Sequence, residues 1–130
     1  ELLPALQACG MGLLPYYPLA SGLLTGRYQR GAPPAAGTRL SIASFARHHL
    51  SERNFAVVEA LQAFCRERGR TLVELAFGWL AARPAVASVI AGVSGPEQVE
   101  QNVRAFGWCL SAEELAEIDR IAPPGGAVPA

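Results

Sequence analysis

The sequence predicts an α/β fold in which two strands of a parallel sheet alternate with helices. Two short apolar runs, residues 13–17 and 86–90, have the length of buried strands, and β-branched residues dominate the second. Segments with apolar residues at helical spacing lie before and after each run. Strands that alternate with helices favour a parallel sheet, because a parallel connection must cross back to the same end of the sheet.

Size and charge limit the classes of function. The chain has 130 residues, of which 51% are hydrophobic, so it can bury a core of its own. Its 11 basic and 11 acidic residues give no net charge, and therefore no electrostatic reason to expect nucleic acid or an anionic membrane as a partner. No apolar run approaches the roughly 20 residues that span a bilayer.

The cysteines and histidines indicate neither a disulfide framework nor a metal site. Cys9, Cys65 and Cys109 are odd in number and form no CxxC pair, so we interpret them as reduced thiols of a cytoplasmic protein. His48 and His49 are adjacent in a polar segment without further ligands at metal-binding spacing.

The first half of the chain is predicted to hold a helix end, one strand and a long loop. Residues 2–9 are interpreted as the end of a helix that Gly10 stops, and the glutamate at position 1 suggests a fragment or a processed piece. Pro15 weakens the strand at 13–17, since it gives no ladder donor. Residues 19–50 show little periodicity, and loops of that length are usually functional or disordered.

Capping signals and apolar stripes predict two helices in the middle of the chain. Asn54 is predicted to cap the first, which ends at Gly69 and has an apolar stripe formed by Val57, Val58, Leu61, Phe64 and Cys65. Thr71 and Glu74 form a capping box for the second, with a predicted buried face of Leu72, Leu75, Ala76 and Trp79.

Two more helices follow the second strand. Pro96 suits a first helical position, Ser94 and Glu97 have capping-box spacing, and the predicted buried residues are Val99, Val103 and Phe106. Ser111 and Glu114 begin the last helix, which is predicted to pack Leu115, Ile118 and Ile121. Residues 123–130 are expected to be a disordered tail.

Two parallel strands do not make a stable sheet, because their edges and faces stay open. We therefore expect the rest of the sheet to lie outside this chain or to come from a partner. Open edges also predict self-association of the chain.

The turn at residues 91–97 is the first candidate binding site. It leads into a helix whose free amides carry partial positive charge and suit a phosphate, and Ser94 adds a hydroxyl. Gln98, Gln101 and Asn102 share one helical face, where their amides could hold an adenine or a ribose phosphate. The alternative is an ordinary capping box with a polar exposed face.

The second candidate site follows the strand at 13–17. Tyr16 and Tyr17 should point to opposite sides of a strand, so that one can face a pocket and stack on a flat ring. Gly22 and Gly26 allow the backbone to approach a ligand closely. The alternative is a pair of core aromatics followed by a flexible loop.

Both segments resemble a known family. Residues 12–26, GLLPYYPLASGLLTG, are similar to the strand-seven segment of bacterial aldo-keto reductases, and residues 88–102, SVIAGVSGPEQVEQN, resemble their strand-eight and cofactor-helix segment. The resemblance implies that residues 1–130 are the C-terminal portion of one (β/α)8 TIM barrel. It also implies binding of NADP(H) and hydride transfer between nicotinamide and a carbonyl or alcohol, with an aldehyde or ketone as substrate.

The resemblance further implies individual roles. Tyr16 matches the aromatic that stacks on nicotinamide, and Leu19, Ser21 and Leu23 match the loop along the pyrophosphate. Gly92 and Ser94 match the turn at the adenosine phosphate, and Gln98, Gln101 and Asn102 match positions that hold the 2′-phosphate and adenine. Pro18 and Gly26 complete the predicted cofactor-binding set.

Two departures from the family pattern limit these expectations. Gly95 and Gln98 stand where many relatives carry a basic residue, so NAD(H) is not excluded as the cofactor. The family's catalytic aspartate, tyrosine, lysine and histidine belong to earlier strands, so no catalytic residue is predicted here and the chain alone should be inactive. The expected partner is the remaining N-terminal barrel segment.

Two alternative functions stay open. Barrels of this family also serve as cofactor-binding regulatory subunits of ion channels, in which interaction matters more than turnover. A half-barrel module that associates with itself through its open sheet is the other alternative.

Overall fold

The computed structural model describes residues 2–123, apart from the side chain of Phe45. This part of the chain holds six α-helices and two 3-10 helices. The α-helices are α1 (Leu2–Ala8), α2 (Ala43–His49), α3 (Glu52–Glu67), α4 (Leu72–Ala81), α5 (Pro96–Ala105) and α6 (Ala112–Ile121). The 3-10 helices are Ala20–Thr25 and Arg39–Ser41. The predicted tail at 123–130 lies outside the described residues except for Pro123.

The predicted α/β fold, a parallel-stranded C-terminal part of a TIM barrel, is wrong for this structure. The chain is 56% helical, and residues 2–123 contain no strand, sheet or barrel. The two predicted strand segments meet at a single parallel bridge between Leu13 and Val86. The Leu13 N–H donates to the Ala85 carbonyl at 2.6 Å, and the Ala87 N–H donates to the Leu13 carbonyl at 2.9 Å.

The local sequence explains why pairing stops at one bridge. Pro15 has no N–H to donate, and Tyr17 has a φ of 52°, in the left-handed region rather than the extended one. Gly12 permits the bridge, because a Cβ there would lie 2.6 Å from the Ala87 Cβ. The segments therefore touch where a glycine allows it, but they cannot continue as a ladder.

The main core lies between α3, α4 and α6. The predicted stripe of α3 is largely confirmed: four of its five residues are buried, and Val57 is partly buried. Leu72, Leu75 and Ala76 of α4 and Ile118 of α6 are buried as predicted. The long loop also reaches the core, since Tyr28 and Leu40 are 7% and 0% exposed.

The helix caps agree with the sequence at two of four positions. Capping boxes formed by Thr71 with Glu74 and by Ser111 with Glu114 begin α4 and α6 as predicted. The cap of α3 is Ser51 rather than Asn54, because Ser51 has the extended backbone of a cap and its Oγ accepts from the Asn54 N–H. The Asn54 side chain instead donates to the His48 and His49 carbonyls, at 3.3 and 3.0 Å.

Helix α5 departs most from its prediction. Its N-cap is Gly95, without a side-chain capping bond, so the box of Ser94 and Glu97 is wrong. Val99, Val103 and Phe106 are 47%, 69% and 44% exposed, whereas they were predicted to be buried. The apolar stripe of α5 is real, but within the described chain it is covered only at Phe106, whose ring stacks on that of Phe77.

Trp79 joins α4 to α6 through a carboxylate. Its Nε1–H donates to Asp119 Oδ1 at 2.7 Å, and Arg83 Nη2 donates to the same oxygen at 2.6 Å. The Arg83 guanidinium also lies 4.0 Å from the Trp79 ring centroid. The polar edge of this half-buried tryptophan is thereby satisfied, as a tryptophan at a helix contact requires.

The three thiols are expected to react very differently. Cys9 and Cys109 are exposed, whereas Cys65 is buried, and burial, with a smaller contribution from Glu74, raises the pKa of Cys65 to about 11. Because the thiolate is the nucleophile, a thiol-specific disulfide reagent at pH 8 should label two cysteines quickly and the third only after unfolding. Rapid labelling of all three in the folded chain would contradict this, and C65A should remove only the slow phase.

Candidate ligand-binding site

One cavity of about 1260 Å³ collects most of the predicted site residues. Its walls come from the segment after the Leu13 bridge, the 3-10 helix Ala20–Thr25, the start of α4, and the turn that leads into α5. Nine of the eleven predicted binding residues line it: Tyr16, Pro18, Leu19, Ser21, Gly92, Ser94, Gln98, Gln101 and Asn102. The two predicted turns thus share one cavity although the predicted sheet is absent.

Leu23 and Gly26 do not line this cavity. Leu23 is 5% exposed and belongs to the core. Gly26 ends the 3-10 helix in the left-handed conformation and lines a smaller cavity of about 330 Å³, beside Gln62 and Cys65. The structure therefore places both residues in the support of the loop rather than on its ligand-facing side.

The loop that forms one wall has an unusual backbone. Tyr17, Ala20 and Ser21 have φ values of 52°, 47° and 57°, and positive φ is costly for residues other than glycine. Ser21 Oγ is buried and has no hydrogen-bond partner within residues 2–123. An unsatisfied buried hydroxyl costs about 1–3 kcal/mol, and Ser21 is one of the residues that line the cavity.

The two tyrosines do not point to opposite sides, as a strand would have required. Their ring centroids are 3.9 Å apart with the planes tilted by 36°, because the backbone turns at Tyr17. Tyr16 is 83% exposed and offers an open ring face to the cavity. Hydrogen bonding with the Tyr17 side chain raises the pKa of Tyr16.

The turn before α5 is closed by one of the predicted amides. The Ser94 N–H donates to Gln98 Oε1 at 2.9 Å, so this oxygen holds the turn in the described structure. Gln101 and Asn102 follow on the same side of α5 and also line the cavity. Unlike Gln98, neither Gln101 nor Asn102 closes a turn through a side-chain hydrogen bond in the described chain.

Arginines that the sequence interpretation missed supply positive charge to the cavity. Arg27, Arg39 and Arg104 line it, and Arg104 pairs with Glu100 at 2.9 Å. Arg27 Nε donates to Thr25 Oγ1 at 3.0 Å, and the Arg39 guanidinium lies 5.0 Å from the Tyr17 ring centroid. Within residues 2–123, neither Arg27 nor Arg39 pairs with a carboxylate.

The one acidic residue in the cavity wall does not cancel this charge. Glu74 accepts from the Thr71 backbone and side chain and pairs with Arg70 at 3.0 Å. A signal for the two free arginines exists in the sequence: Arg27 directly follows Gly26, and Arg39 follows Gly37 by two residues. Both glycines adopt positive φ, so each arginine leaves a tight turn at the cavity edge.

Comparison with known proteins identifies the family. The sequence profile of the Aldo/keto reductase family matches residues 1–123. The chain belongs to the aldo/keto reductase family. The resemblance seen in the two turns is therefore confirmed over almost the whole sequence.

Three aldo/keto reductase relatives show what the chain is similar to. It is 36% identical to an L-glyceraldehyde 3-phosphate reductase of Escherichia coli O157:H7, over 92% of this chain and 36% of the relative. It is 37% identical to a probable voltage-gated potassium channel subunit beta of Arabidopsis thaliana, over 81% of the chain and 33% of the relative. It is 32% identical to the uncharacterized oxidoreductase YrpG of Bacillus subtilis, over 99% and 38%. The chain spans about a third of the length of these relatives.

The aldo/keto reductase family generally uses NAD(P)H, and the cavity fits such a cofactor. The orphaned Ser21 hydroxyl, the exposed Tyr16 ring and the guanidinium groups of Arg27 and Arg39 offer a hydrogen bond, a stacking face and positive charge. A dinucleotide phosphate has complementary groups for each of these.

No helix in the described chain is long and apolar enough to cross a membrane.

Proposed function

We propose that this chain is the cofactor-binding part of a cytoplasmic oxidoreductase that transfers a hydride between NADP(H) and a carbonyl or alcohol substrate. The observation that carries the proposal is a cavity lined by two arginines without a carboxylate partner in the described chain, by a serine with an unsatisfied hydroxyl and by an exposed aromatic ring. Bound NADPH supplies the hydride. The chain's own residues bind and orient that cofactor.

The proposed roles follow from the chemistry of each side chain. Tyr16 stacks on the flat nicotinamide ring, and the Ser21 hydroxyl hydrogen-bonds a pyrophosphate oxygen. Gln101 and Asn102 hold the adenosine end. Arg27 and Arg39 neutralise phosphates, which favours NADP(H) over NAD(H), because the 2′-phosphate adds roughly two negative charges.

Proton transfer to the substrate must come from outside these residues. The pKa of Tyr16 is raised rather than lowered, and the sequence contains no lysine that could lower it. We propose that a remaining N-terminal segment supplies the catalytic residues and the pocket for an aldehyde or ketone. The exposed side chains of Leu14, Ile90, Val99 and Val103 offer that segment an apolar surface.

Cofactor titration tests the proposal on the chain as it is. We expect saturable binding of NADPH, followed by the fluorescence of its reduced nicotinamide, and no oxidation of NADPH when a simple aldehyde is added. S21A should weaken binding, whereas R53A, on an exposed position of α3, should not. Failure to bind NADPH, or turnover by the chain alone, would show the proposal to be wrong.

A regulatory role is the second candidate, and the Arabidopsis relative favours it because its name describes a potassium channel subunit beta. In that role the same cavity would bind the cofactor, but a partner would respond to its occupancy instead of a substrate being reduced. Joining the chain to the N-terminal part of its own gene product and assaying aldehyde reduction separates the two roles. Activity would favour the enzyme, and binding without activity would favour the regulator.

Self-association of the chain is a third and simpler possibility, now supported by the exposed apolar stripe of α5 rather than by sheet edges. Light scattering that shows a compact monomer at micromolar concentration would contradict it.

A further inference from the structure

We propose that Arg30 is a positioning residue for the cofactor cavity, although it does not line the cavity itself. It ties the long loop to α3 and thereby fixes the segment that carries Arg27 and leads to Arg39. This inference rests on the proposed function and adds to it a device that keeps the phosphate-binding arginines in place before the cofactor arrives.

The ion pairs of Arg30 with Glu59 and Glu52 of α3, which we call the latch, hold the loop against this helix. Its Nε and Nη2 donate to the two carboxylate oxygens of Glu59, at 3.1 and 2.9 Å, in a forked pair. Its Nη1 donates to Glu52, which lies two turns before Glu59 on the same face of α3. The guanidinium also lies 5.9 Å from the ring centroid of buried Phe55. Hydrogen bonding to Arg30 holds the pKa of Glu59 below its usual range, so the pair stays charged at neutral pH.

Arg30 makes more contacts than the arginine of an ordinary surface ion pair. Isolated exposed pairs contribute little, because both long side chains lose freedom and water screens the charges. A forked arginine that serves two carboxylates and an aromatic ring has a fixed orientation and several bonds for one immobilised side chain. Such a contact can order a loop even when its contribution to global stability is small.

The latch lies next to a second anchor in the same loop. Tyr28 is 7% exposed, and its Cε2 lies 3.5 Å from the position that a Cβ on Gly22 would take. Arg27 directly precedes this anchor and faces the cavity. Beyond Arg30, residues 31–33 and 35–37 are exposed, and the hydrogen bonds described there join residues only three apart, as between the Thr38 N–H and the Ala35 carbonyl. The ion pairs of Arg30 therefore link this stretch to α3, which its local turns do not.

Ordering this loop in advance should strengthen cofactor binding. A ligand that must order a mobile segment loses part of its binding free energy to the lost chain entropy. With the latch in place, that cost is met in the free protein. Breaking the latch should therefore weaken binding although no contact with the cofactor is removed.

The test uses R30Q in the 130-residue chain, with two measurements. Amide hydrogen exchange of residues 27–38 should become faster without cofactor, while exchange in α4 and α6 stays unchanged. The dissociation constant for NADPH should rise about fivefold to tenfold, as expected when binding must order a segment. R30K should recover part of the affinity, and R53Q, at an exposed position of the same helix α3, is the matched control.

A double-variant cycle separates the latch from a general effect of charge. E59Q should weaken binding as R30Q does, and the combined variant should be little worse than either, because all three lack the same contact. Additive losses, unchanged loop exchange in R30Q, or faster exchange without loss of affinity would each overturn the proposal. If the unsubstituted chain does not bind NADPH, the proposed function and the positioning role both fail, and the exchange measurement still decides whether the latch orders the loop.

Discussion

Replacing Phe77 with alanine is expected to lower the free energy of unfolding by about 3–5 kcal/mol, the usual cost of removing a buried phenyl ring. Phe77 lies on α4 and is 0% exposed, so the substitution leaves a cavity that the helix cannot close by itself. Its ring stacks on Phe106 with centroids 4.8 Å apart, so it packs α4 against the residue that follows α5. Urea unfolding followed by circular dichroism measures the loss.

The ring partner of Phe77 provides a matched control. Phe106 is 44% exposed, so F106A removes the same stacking contact but takes away less buried apolar surface than F77A does. We expect it to cost clearly less than F77A, and F77L to cost less than both by keeping most of the volume. Equal losses for F77A and F106A would mean that stacking, rather than burial of Phe77, holds α4 against α5.

Helices α3 to α6 could be predicted because their signals are local, whereas α2 and the two 3-10 helices lie in the segment 19–50 that was predicted to be a loop. The capping boxes at Thr71 and Ser111 depend on residues three positions apart, and the stripe of α3 depends on spacing within one helix. These interactions are satisfied wherever the helix lies. The cap of α3 was misplaced for the same local reason, since Ser51 and Asn54 are both good capping residues and only the backbone shows which one is extended.

The strands and the burial of α5 could not be predicted in this way. A strand needs a neighbouring ladder along its whole length, and here Pro15 and the left-handed Tyr17 end the pairing after one bridge. An apolar stripe such as that of Val99 and Val103 predicts that something should cover it, but it does not say whether the covering element is in the same chain.

Nine of the predicted site residues line one cavity although the predicted fold is wrong, because the two turns act through their own residues. Their roles in binding stay predictions. Tyr16, Ser21 and Ser94 reach the same cavity whether or not a sheet connects their segments. Arg27 and Arg39 were missed because a glycine shortly before an arginine is a weak signal, which does not say which cavity the arginine reaches. Only the path of the loop, anchored by Tyr28 and Arg30, brings them to the cavity.

Removing these two arginines is the change with the largest expected effect on function. A hydrogen bond to a charged group contributes about 1.5–3 kcal/mol, so R27A and R39A should each raise the dissociation constant for NADPH by roughly tenfold to a hundredfold. R104A is the control, because Arg104 lines the same cavity but already pairs with Glu100. It should change the affinity severalfold at most.

Comparing NADPH with NADH then shows which arginine meets the 2′-phosphate, the only group by which the two cofactors differ. An arginine at the pyrophosphate should matter equally for both cofactors, whereas one at the 2′-phosphate should matter for NADPH alone. Arg39 also packs on Tyr17, so R39K serves to separate charge from packing: it keeps the charge but loses the flat stacked group. If neither arginine distinguishes the cofactors, positive charge in this cavity does not select NADP(H), and the uncharged Gly95 and Gln98 would then be the better guide to an enzyme that uses NAD(H).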